Sequence, residues 1–130
     1  MNELVAIELA DDERAVLSRG LGEWSGPAHC TEELAVAMGF QGLAGLYEDG
    51  RRLQAALSAG EPLSVPDWRR LLVSAEIVFA SDVFGSGIDW SIATGFSDEE
   101  TIKILRRLQR GITSALRGAL HRRDDRVSDR

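Results

Sequence analysis

The sequence predicts an all-α fold, a single compact domain of four to five helices over residues 1–121. A central buried helix spans about 66–84, a long amphipathic C-terminal helix spans about 98–121, and a polar tail over 122–130 has little to bury and frays. Three observations carry this expectation. Apolar residues recur at helical spacing through most of the chain. Capping and stop residues bracket those stretches. Strand-like character is confined to the opening ELVAIEL.

From Asp11, DDERAVLSRGLGEW sets acids in a first turn, where the helix dipole favours them, and places Leu17, Leu21 and Trp24 on one face. SGPAHC then turns, because Gly26 and Pro27 both interrupt a helix. TEELAVAMGF has Thr31 as an N-cap, Glu32 and Glu33 in the first turn and Gly39 as a stop. In QGLAGLYEDGRRLQAALSAGEP, Leu43, Leu46, Tyr47, Leu53 and Leu57 stay roughly in phase until Gly60 and Pro62, with Gly45 and Gly50 weakening continuity. LSVPDWRRLLVSAEIVFASDVF opens with Ser64 as cap and Pro66 in the first turn, where a missing N–H costs little. Beyond Trp68 its apolar residues cover more than one face, which marks a buried helix. SDEE at 97–100 is a capping box, and Ile102, Leu105, Leu108, Ile112, Leu116 and Leu120 then hold one stripe.

Composition bounds the class. The chain of 130 residues, 44% hydrophobic and 28% charged, is globular in character and the size of one domain. Neither a secretory leader nor an uninterrupted apolar run of about 20 residues is visible, so the expected compartment is the cytoplasm and no membrane is involved. Cys30 is the single cysteine and His29 and His121 the two histidines, which disfavours disulfides, metal and redox chemistry, and no cofactor is expected. Fourteen arginines against one lysine suggest a GC-rich, bacterial genome. Residues 1–100 carry 18 acids and 6 bases, whereas residues 101–130 carry 3 acids and 9 bases. An acidic body argues against binding a phosphate backbone and suits a partner protein with a basic surface.

Four local patterns could carry function. Residues 32–53 resemble a helix-turn-helix, yet the second helix offers Glu48 and Asp49 where a DNA reader needs basic or amide side chains. The neighbours His29 and Cys30 would need to converge to form a nucleophile pair. GSG at 85–87 lacks the further glycine of a dinucleotide fingerprint, since Trp90 stands there, and lacks the lysine of a P-loop. Glu76, Asp82 and Asp89 lie in or beside the most apolar helix, where they either find partners such as Arg69, Arg70 or the Trp90 N–H or line an acid–base cleft.

The stretch from Gly85 to Phe96 reads as an irregular loop. Its alternation of Ile88, Trp90, Ile92 and Phe96 with polar residues lays an apolar side on the core, making a plug, or else a binding loop anchored by Trp90. Taken together, these features favour a non-enzymatic protein-binding module of the inhibitor, immunity or regulatory-adaptor kind. Its candidate contact residues are Trp90, Asp89, Glu32, Glu33, Glu48 and Asp49, with no catalytic or metal-binding residue. An enzyme or small-ligand binder using Glu76, Asp82 and Asp89, and a DNA-binding regulator through 32–53, are the alternatives. The stripe of the last helix is long enough to suggest a homodimer as well.

Overall fold

A computed structural model describes residues 3–26 and 28–128, with side chains to residue 122. Its elements are β1 (Leu4–Val5), α1 (Asp11–Glu23), α2 (Glu32–Ala37), α3 (Gly42–Ala59), β2 (Leu63–Ser64), α4 (Val65–Ala80), a 3-10 turn (Gly87–Asp89), α5 (Trp90–Thr94) and α6 (Asp98–Ser128). The all-α class is as expected. The strand character of the opening is realised as a two-residue antiparallel ribbon, Leu4 opposite Ser64 and Val5 opposite Leu63.

Local chemistry sets the helix ends. The Leu34 N–H donates to Thr31 Oγ1 (3.1 Å), the Asp67 N–H to Ser64 Oγ (3.3 Å) and the Glu100 N–H to Ser97 Oγ (3.1 Å), so all three expected caps form. The Ser97 hydroxyl donates to Glu100 Oε1 in turn (2.9 Å). α1 starts without a capping side chain of its own, and Glu13 compensates by accepting from the Ala10 N–H (2.8 Å). At the corner between α2 and α3, Gly39 takes φ +102°, a conformation costly for any other residue, and the Phe40 N–H closes onto Ala35 O (3.0 Å).

α1 packs against α3, α4 and α6, and α4 packs against α1 and α6. Val16, Leu17, Leu21 and Trp24 on one side, and Trp68, Leu71, Ala75 and Val78 on the other, form the middle of one apolar cluster. The close approach of α1 to α4 depends on Gly20, where an added Cβ would lie 3.1 Å from both Cα and Cβ of Ala75. Between residues 65 and 79 only Arg69 is exposed, which agrees with a buried central helix. Each tryptophan is fully buried with its N–H satisfied: Trp24 by Ser74 O (3.2 Å), Trp68 by Val5 O (2.9 Å) and Trp90 by Thr101 Oγ1 (2.7 Å).

Two boundaries differ from expectation. α4 ends at Ala80 rather than 84, because Ser81 turns to extended backbone and the chain folds back over the helix end, the Ser86 N–H donating to Val78 O (2.7 Å). α3 is continuous, its packing overriding Gly45 and Gly50. α6 runs to Ser128 rather than 121, with neither glycine nor proline after Gly118 to stop it. The tail expected to fray over 122–130 lies largely outside the described side chains, and residues 129–130 lie outside the described residues altogether.

The buried face of α6 is rotated from the expected stripe. Ile104, Leu105, Leu108, Ile112, Leu116 and Ala119 are buried, whereas Ile102 and Leu120 face outward. Since α1 and α4 cover this face from within the chain, the stripe that suggested a homodimer is already occupied. On the exposed side, an added Cβ at Gly111 would meet no atom within 4 Å. Gly111→Ala should therefore stabilise the fold by about 0.8–1 kcal/mol, the helix-propensity difference, read as a rise in urea midpoint.

Candidate functional site

Residues 81–97 connect α4 to α6 and form the most distinctive surface. The sequence reads here as an irregular loop with period-2 alternation; instead the chain makes the 3-10 turn and α5 in succession. Ile88 and Ile92 are then four residues apart on one helical side, and both point to solvent. With Val83 and Phe84 they leave four large apolar side chains exposed by 75% (Val83), 40% (Phe84), 79% (Ile88) and 84% (Ile92). The Ile88 N–H donates to Asp82 Oδ1 (3.1 Å), which brings the two halves of this ridge together. Asp82 and Asp89 are exposed at its edge.

The ridge stands on a fixed base. Trp90 is completely buried, edge-on to Phe79 with centroids 5.7 Å apart and planes at 81°. The Ser86 hydroxyl donates to Glu23 Oε1 (2.6 Å) and the His29 N–H to Phe84 O (2.6 Å). Arg19 of α1 donates to Thr94 O and lies over the Phe96 ring, 5.5 Å from its centroid. Gly85 has α4 backbone against it, where a Cβ would stand 2.4 Å from Val78 O. The segment is thus a plug whose inner side is Trp90 and whose outer side is apolar. Trp90 itself offers no ring to a partner, which corrects its place among the contact residues: its hydrogen bond to Thr101 and the turn of α5 direct it inward.

The other expected residues separate. Glu76 accepts from Gln109 Nε2 (2.6 Å) at the contact with α6, Asp82 is engaged by the Ile88 N–H, and Asp89 is exposed. They do not form the paired arrangement an acid–base cleft needs. Of the acidic set on α2 and α3, Glu32 Oε2 accepts from the Leu43 N–H (3.2 Å) and so caps α3, and Asp49 pairs with Arg52 (3.1 Å). Glu33 and Glu48 remain exposed at the surface. In the helix-turn-helix-like segment, Arg52 is turned onto Asp67 rather than outward to a groove (2.9 Å). Cys30 Sγ donates to its neighbour's carbonyl, Thr31 O (3.3 Å), and burial, then Glu32, push its thiol pKa up, the reverse of what an activated nucleophile requires.

Two features lay outside the sequence reading. One is an ionic cluster in which Asp67 accepts from Arg52 and Arg70 (2.9, 3.0 and 2.8 Å) while Arg70 Nε donates to Gly39 O (2.6 Å). The other is a half-open groove of about 630 Å³ between the end of α1 and α3, lined among others by Trp24, Tyr47, Gly50 and Arg51. Glu76, Asp82 and Asp89 do not line it. Among the described residues, no group of three His, Cys, Asp or Glu side chains is placed to hold a metal ion, and no helix is long and apolar enough to cross a membrane.

Fold and surface together define a small all-α domain with exposed apolar side chains at Val83, Phe84, Ile88 and Ile92. Comparison with protein-family models, with curated proteins and with solved structures gives no match.

Proposed function

We propose that this chain is a small acidic protein-binding module of the bacterial cytoplasm, acting without catalysis by occupying a partner, as inhibitors, immunity proteins and regulatory adaptors do. The observation that carries the reading is the exposed ridge Val83, Phe84, Ile88 and Ile92 on a base pinned to α1, α4 and α6. Isolated surface apolar residues are ordinary, whereas a grouped set rimmed by charge marks an interaction surface. A segment ordered before binding loses little entropy when it docks. Asp82 and Asp89 at the edge, with the acidic balance of residues 1–100, select a partner whose apolar centre has a basic rim.

Ile88→Asp with Ile92→Asp tests the reading, since both side chains already face water and helicity by circular dichroism should be unchanged. A partner retained by the wild-type protein from host extract should lose more than about tenfold in affinity for the double variant. Its association should slow as salt shortens the Debye length below about 8 Å. Capture that is equal for both proteins, or independent of salt, would place the interface elsewhere.

A further inference from the structure

The geometry points to a small-molecule site, separate from the ridge, in the groove between the end of α1 and α3: it takes a free α-amino acid with an apolar side chain. The groove's volume of about 630 Å³ is that of ordinary ligand pockets. It is lined by Leu21, Trp24 and Leu46, each nearly buried, and by the polar side chains Tyr47, Glu48, Arg51 and Gln54 of α3. Gly50 lies among them. Although buried in the middle of an 18-residue helix, it has open space where a Cβ would project, with no atom within 4 Å. Glycine is disfavoured in a helix interior relative to alanine, and here its effect is to leave the groove open at this position.

The rim supplies the ligand's chemistry. Glu48 and Arg51 are three residues apart on α3, close enough to pair with each other, yet among the described residues no ion pair joins them. An open carboxylate beside an open guanidinium, in a groove also lined by apolar side chains, matches a molecule with ammonium and carboxylate on one carbon and a hydrocarbon side chain. Glu48 would accept from the ammonium, Arg51 would donate to the carboxylate, and the side chain would lie along the groove toward the space over Gly50. A simple organic acid would leave Glu48 facing a like charge, and a simple amine would leave Arg51 so.

Nuclear magnetic resonance of the indole N–H signals tests this, with Trp24 assigned through Trp24→Phe. Titration with L-leucine or L-phenylalanine should shift the Trp24 signal with a Kd at or below about 1 mM and leave the Trp68 signal in place. 3-Phenylpropionate and phenethylamine, each carrying one of the two charges, should bind at least about tenfold more weakly, as should Arg51→Gln and Glu48→Gln toward the amino acids. Gly50→Leu should fill the groove and abolish the shift. The exposed Arg51→Gln decides the matter should Gly50→Leu disturb folding. No shift with either amino acid at about 10 mM, equal binding of a one-charge analogue, or binding indifferent to Arg51→Gln would overturn the assignment.

Discussion

Trp90→Ala should destabilise the protein by about 3–5 kcal/mol, the range for removing a large aromatic side chain from a core. Two losses combine. The first is the indole volume between α4 and α6, where Phe79 meets the ring edge-on. The second is the bond from Nε1–H to Thr101 Oγ1, whose own hydroxyl donates to Ser97 O at the start of α6 (2.7 Å). Trp90→Phe keeps part of the packing but removes the indole N–H and leaves Thr101 Oγ1 without that donor, so its cost should be smaller, about 1–3 kcal/mol. Urea unfolding should show the midpoint falling while the slope stays constant, since the surface exposed on unfolding hardly changes. A cost below about 1 kcal/mol for Trp90→Ala would mean the plug is not part of the core. The contrast with Ile88→Asp and Ile92→Asp is the sharper check: those variants should lose binding and keep stability, whereas Trp90→Ala should lose stability first.

Why the plug was legible and the ridge was not follows from what each depends on. A tryptophan among glycines next to an apolar helix has few places to go but inward, and the Thr31, Ser64 and Ser97 caps involve partners three residues away. Local chemistry decides such features. Residues 88–92, by contrast, fit two periods: Ile88, Trp90 and Ile92 alternate as in a strand, while Ile88 and Ile92 also stand one helical turn apart. Only the anchoring of Trp90 on Thr101 and of residue 86 on α1 and α4 selects the second, and those partners are 11 or more residues away in sequence or belong to another helix. α6 shows the same limit, since Ile102 and Ile104 are equally apolar and docking on α1 and α4 chose Ile104. Charge counts locate Glu32 and Asp49 correctly but cannot show that one caps α3 and the other pairs with Arg52.

Asp67 is the residue whose weight the sequence hid most completely, and Asp67→Asn should cost about 2–3 kcal/mol at neutral pH. Its carboxylate is 10% exposed and ties α4 to α3 through both oxygens and Arg52, and to the corner between α2 and α3 through Arg70 and Gly39 O. Arg52 and Arg70 are 50% and 27% exposed, so water can take up part of what they lose. The cost therefore falls below the roughly 3–5 kcal/mol of a fully buried charge left alone. Burial acts to raise the Asp67 pKa, but the hydrogen bonds and charges of Arg52 and Arg70 outweigh it and hold the carboxyl below its ordinary 3.8. A carboxyl depressed on folding contributes stability that is complete above the unfolded-state value and disappears as pH falls through the folded one. The difference between wild type and Asp67→Asn, measured by urea unfolding, should then be constant from neutral pH down to about 5 and shrink below about 4, where the unfolded chain begins to take up the proton. A difference that persists unchanged into strong acid would show that Asp67 acts by shape rather than by charge, and would remove the ionic tie from α2, α3 and α4.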